Sequence, residues 1–195
     1  MIVGTHLIWT IYGSWLPNDP RGSNSHEIRV ESLAELGELH HGRKRVQPPG
    51  REIREFYDRA RPLLKHPILR MTHRDVEIVA QALGESISRY TYTCYACAIM
   101  PDHVHMLIRA HRDRALEMIR KLQKDSRDEL IRLGRRDDEH PVWGGPGWKV
   151  FLNTREDIER TEKYIRENPT HPQSWKFVKP YNGWLPRPLL KREHS

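Results

Sequence analysis

The sequence predicts an α+β fold of the ferredoxin-like sandwich type: one antiparallel sheet with helices on one face, plus an insertion after the first strand. Three observations carry this. Runs of β-branched and aromatic residues mark short strands, capped stretches with 3.6-residue apolar spacing mark helices, and the two types alternate in a split βαβ order. At 195 residues, the chain fits a single domain with room for a core.

The first strand is Thr5 to Tyr12, THLIWTIY, closed by Gly13. Residues 13–70 read as an insertion: GSWLPNDPRGSNS is punctuated by Gly, Pro and Asn, and HHGRKR is a basic run. Helices are expected within 31–39 and 51–64, and Asn18–Ser23 reads as a structured loop. Thr72-His73-Arg74-Asp75 has capping-box spacing, with Asp in place of Glu. Val76, Val79, Ala80, Leu83, Ile87 and Tyr90 then recur at helical spacing.

A strand over 93–100, the turn Pro101-Asp102 and a strand over 103–109 form an antiparallel hairpin. A second helix covers 113–133, with Leu116, Ile119 and Leu130 on its apolar side and Arg114, Lys121 and Lys124 on a basic side. After a glycine-rich loop, 149–152 is a short strand. Thr154-Arg155-Glu156-Asp157 caps a third helix, over 156–168, that Pro169 stops. The tail from about 175 to 195 lies beyond this core.

Charged residues reach 30% against 37% hydrophobic, and the formal net charge is +7, with a pI near 9.6. That sign suits a polyanion, nucleic acid first. No run approaches the length of a membrane span, and the N-terminus lacks the pattern of a secretion signal, so a cytoplasmic location is expected. Two cysteines make no disulfide framework.

His103 and His105 are one residue apart on a strand, so their side chains share a face and form half of a metal site. Tyr164 and Asn168 are four apart on the third helix, beside the apolar stripe of Ile158 and Ile165. A tyrosine can act as a covalent nucleophile, and an asparagine carbonyl can bind a hard cation. Packing and a helix stop are the plainer readings of those two residues. Cys94-x-x-Cys97 raises a zinc reading, but strand positions i and i+3 face opposite ways. A histidine-triad nucleotide hydrolase would need a third histidine where Leu107 stands.

Residues 98–108, AIMPDHVHMLI, and 164–169, YIRENP, resemble the single-tyrosine HUH transposases, especially the REP-associated tyrosine transposases. The element order matches that family from residue 5 to about 170. The resemblance implies that His103, His105 and Asn168 bind one Mg²⁺ or Mn²⁺. It also implies that Tyr164 attacks a DNA phosphodiester, leaving a 5′-phosphotyrosine and a free 3′-hydroxyl. Single-stranded or hairpin DNA is then the expected partner. Arg109, Arg112, Arg114, Lys121 and Lys124 would follow its phosphates, and Trp15, Trp143 and Trp148 would stack on unpaired bases; Trp9 reads as core. A homodimer is compatible with the sequence, with Tyr164 serving its own histidines or a partner's. The alternative is a non-catalytic DNA-binding protein of the same fold.

Overall fold

Five strands, β1 (Gly4–Thr10), β2 (Cys94–Ile99), β3 (His103–Arg109), β4 (Trp148–Leu152) and β5 (Trp175–Phe177), pair antiparallel in the order β4-β1-β3-β2-β5. In this computed structural model the described residues are 1–168 and 171–177. The first four strands have the predicted ferredoxin-like order. β5 is an added edge strand that the sequence pattern does not announce. The expected stop at Pro169 and the tail beyond 177 lie outside the described residues.

The helices are α1 (Glu31–Ala34), α2 (Gly50–Ala60), α3 (His73–Arg89), α4 (Ala115–Arg132) and α5 (Arg155–Glu167). The predicted capping boxes form at both Thr72/Asp75 and Thr154/Asp157. The Asp75 carboxylate is fully buried and also receives Arg135 Nε and Arg136 Nη2, each at 2.8 Å, which ties the start of α3 to the end of α4.

Strand alternation divides the sheet into two faces. Leu7, Trp9, Val104, Met106 and Ile108 meet α3 and α4 through Val76, Val79, Leu83, Met118, Ile119 and Leu122. The two helices of the βαββαβ unit thus share one face, as expected. α5 packs on the opposite face, where Ile165 and Ile158 meet Ala96, Ala98, Met100, Leu107 and Leu152. Leu116, assigned by spacing to the apolar side of α4, is instead exposed. The helix presents Met118, Ile119, Leu122 and Leu130 inward, a stripe that runs along its other edge.

The insertion builds a small core of its own from Leu16, Leu33, Phe56 and Ala60. Its Asn18–Ser23 loop is structured: Arg21 pairs with buried Asp19, lies 3.8 Å from the Trp15 ring centroid, and donates to Tyr57 Oη. The chain then returns to the sheet, where Leu69 N donates to Tyr12 O and Met71 N to Pro101 O. The insertion therefore begins and ends at the sheet end that carries the β2–β3 turn.

Candidate active site

The β1–β3 register sets Ile8 opposite His105 and Thr10 opposite His103. Paired residues share a face, so both histidines lie on the side covered by α5. His6, two residues before Ile8, joins them as the diagonal neighbour of His105. His6 and His105 are buried, whereas His103 is partly open.

His6 Nε2 and His105 Nδ1 are 2.9 Å apart, and His103 Nδ1 is 2.7 Å from Asp102 Oδ1. Burial lowers the pKa of His6 to about 4. Burial, with smaller contributions from His103 and His6, takes His105 to about 2. Both rings are therefore neutral at physiological pH, the state in which imidazole binds metals. Burial tends to raise the Asp102 carboxyl, but the His103 hydrogen bond and the nearby cations Arg70 and Arg21 hold it below the usual value.

α5 brings the remaining residues. Ile165, its one fully buried side chain, anchors the helix to the sheet, and Tyr164 stands beside it. The Tyr164 ring meets His105 edge-on at 5.4 Å between centroids and lies 6.1 Å from His6. The tyrosine thus lies beside the histidines of its own chain, yet it remains 47% exposed. Asn168, at the helix end, has a buried Nδ2 without a hydrogen-bond partner among the described residues. Among the described residues no group of three or more His, Cys, Asp and Glu could hold a metal. A cation at the histidine pair would therefore need a different third donor. The carbonyl oxygen of Asn168, one helical turn beyond Tyr164, has the right chemistry, whereas its orphaned Nδ2 is a donor and would have to face away from a cation.

The basic residues expected to follow DNA lie elsewhere. Arg109, Arg112 and Arg114 are exposed at the far end of β3, and six residues at about 3.3 Å each separate Arg109 from His103. Lys121 is paired with Asp113 and Glu117, and Lys124 with Asp128. Of the aromatic candidates, Trp15 donates to Gly22 O beneath Arg21, and Trp143 donates to Gln123 O while packing on Trp9. Trp148 is half-buried on β4.

The cysteine pair corrects one expectation. A register shift between Cys94 and Ala96 breaks the alternation, so Cys94 and Cys97 both enter the α3/α4 core rather than facing opposite ways. Burial raises the Cys94 thiol to about 12 and Cys97 well above its ordinary value, which keeps both protonated at neutral pH.

Sequence reasoning missed His6 as a site residue. Its one signal is the period-two set His6, Ile8, Thr10 on the first strand, which has no meaning until β1 is registered on β3.

A family model described as IS200-like transposase matches residues 65–168, just over half of the chain. No curated protein matches. Among solved structures, a REP-associated tyrosine transposase bound to a REP hairpin is 9% identical. That match covers 86% of this chain and 66% of the other, just under two thirds of its length, with a TM-score of 0.44. A candidate transposase from Deinococcus radiodurans R1 is 14% identical, with 85% and 90% covered and a TM-score of 0.38.

Proposed function

Since the chain belongs to the IS200-like transposase family, we propose that it nicks and rejoins a single DNA strand through a covalent bond to Tyr164. The observation that carries the reading is the position of Tyr164, against His105 and His6 but about half open to solvent. A nucleophile must be reachable by a polymer and still lie beside the groups that polarise the scissile phosphate. Tyr164 meets both demands.

In the proposed step, the phenol oxygen of Tyr164 attacks the phosphorus of a backbone phosphodiester. The bond from phosphorus to the 3′ oxygen breaks, and that oxygen takes up a proton as the phenol gives one up. The products are a 5′-phosphotyrosine and a free 3′-hydroxyl. Attack by a 3′-hydroxyl on the tyrosyl ester restores a phosphodiester and frees the phenol. One phosphate ester replaces another at each stage, so strand transfer needs no ATP.

His103 and His105, with the Asn168 carboxamide, would hold the Mg²⁺ or Mn²⁺ that the resemblance implies. Bound there, such a cation supplies Lewis-acid withdrawal of charge from the phosphate. The protein's own part is to present the neutral imidazole of His105, to fix His103 through Asp102, and to hold Tyr164 on a docked helix. The exposed Arg109, Arg112 and Arg114 are proposed phosphate contacts distant from the cut. Lys121 and Lys124 would join them only by exchanging their carboxylates for phosphate.

The test is an incubation with single-stranded hairpin oligonucleotides and Mn²⁺, resolved on a denaturing gel. A covalent protein–DNA adduct is expected from the wild type and none from Tyr164→Phe, with DNA binding retained. Binding without cleavage or adduct by the wild type would favour the non-catalytic DNA-binding alternative.

A further inference from the structure

Both candidate cation ligands spend Nδ1 on a hydrogen bond, but on different partners. His103 meets a carboxylate, Asp102, at 2.7 Å, while His105 meets another imidazole, His6, at 2.9 Å. A nitrogen-to-nitrogen hydrogen bond requires one N–H and one lone pair. Two arrangements satisfy it, and they differ in consequence. If His6 Nε2 carries the hydrogen, the neutral His105 ring keeps its own hydrogen on Nε2 and has no lone pair left for a cation. If His105 Nδ1 carries it, Nε2 of His105 is free.

We propose that His6 is a positioning residue: its Nε2 accepts the Nδ1 hydrogen of His105 and so holds His105 in the tautomer whose Nε2 can bind a divalent cation. The proposal rests on the function proposed above only for what the free Nε2 is used for.

Burial explains why the acceptor is an imidazole rather than a second aspartate. Asp102 and His103 keep about a third and a quarter of their side-chain surfaces in solvent, so a carboxylate is tolerated there. His6 and His105 are only 8% and 6% exposed. A carboxylate at position 6 would have to be desolvated at a cost of several kcal/mol. A neutral ring accepts the same hydrogen without burying a charge. The β1–β3 ladder holds the acceptor in place, since Ile8, two residues from His6, is paired with His105. This is the outer-shell arrangement by which ligating histidines are oriented, with a neutral acceptor in the buried position.

Long-range ¹⁵N–¹H spectra of the metal-free full chain, labelled at histidine, read the tautomer directly. His105 is expected with Nδ1 protonated and Nε2 bare; a protonated Nε2 in the wild type overturns the proposal. In His6→Phe the His105 spectrum should shift toward the Nε2-protonated form. Mn²⁺ binding by titration calorimetry should weaken about 10–100-fold in that variant. His6→Gln, whose amide oxygen can accept the same hydrogen, should recover both signals to within several-fold. Equal losses in the Phe and Gln variants, or an unchanged His105 spectrum in His6→Phe, would assign His6 to packing alone. A wild type that binds no Mn²⁺ would refute the metal reading, and the tautomer spectrum would still decide the role of His6.

Discussion

Ile165→Ala tests whether the helix that carries Tyr164 is held by one side chain. α5 has no other fully buried residue, and its 13 residues are too few to be stable as an isolated helix. The side chain, 0% exposed, seats among Ala96, Ala98, Met100, Leu107 and Leu152. Truncation removes three buried carbons at about 0.8 kcal/mol each. Its neighbours Ala96 and Ala98 cannot swing into the gap, so a cavity contribution brings the cost to about 3 kcal/mol. A loss of that size multiplies an opening equilibrium by about 150. Because only α5 depends on this contact, the loss should appear as local detachment. Native-state amide hydrogen exchange resolves it: α5 amides should exchange about 100-fold faster, while β1 and β3 amides change less than about threefold. Uniform acceleration through strands and helix would show that α5 opens only with the whole domain, and the single-anchor argument would be wrong.

Two further perturbations test the frame around the site. Burial tends to raise the Asp75 carboxyl, but hydrogen bonds from Arg135 and Thr72 and the charge of Arg136 hold it below its ordinary value. Its stabilisation is therefore complete above the unfolded pKa of about 3.9 and is lost as pH falls through the lower folded value. Asp75→Asn should cost about 2 kcal/mol at pH 7, less than the ~3–5 of a fully buried pair because Arg135 reaches solvent. The gap between wild-type and variant thermal melts should narrow from pH 7 to pH 3, and a constant gap would contradict the assignment. Gly147 has φ +71°, and a Cβ there would lie 2.5 Å from Ile8 O. Gly147→Ala should therefore cost about 2 kcal/mol or more in denaturant unfolding, and an unchanged midpoint would mean that β4 shifts freely along β1.

The fold was legible where its signals are local. Thr72/Asp75 and Thr154/Asp157 announce helix starts because capping is completed within four residues, and His103–Arg109 reads as a strand because its alternation is intact. Legibility fails where a partner strand decides. The shift at Cys94/Ala96 is imposed by pairing with Ile108 and Leu107, so counting along the strand places Cys94 on the wrong face. Leu116 fails similarly: helical spacing marks several apolar edges on α4, and the sheet selects the one through Met118 and Leu122.

The site divides along the same line. His103 and His105 are neighbours on one strand, and Tyr164 and Asn168 are one helical turn apart, so each pair is visible before folding. What brings Tyr164 to the histidines is not local: Ile165 must find Ala96 and Ala98 on β2, and α5 must cross the face opposite α3 and α4. What orients the histidines is less local still. His105 takes its hydrogen-bond partner from a strand 99 residues earlier in the chain, through a register in which a slip of one residue would turn His6 into the α3/α4 core. A short motif can therefore place His103 and His105 side by side, but the hydrogen-bond partner of His105 depends on the β1–β3 ladder.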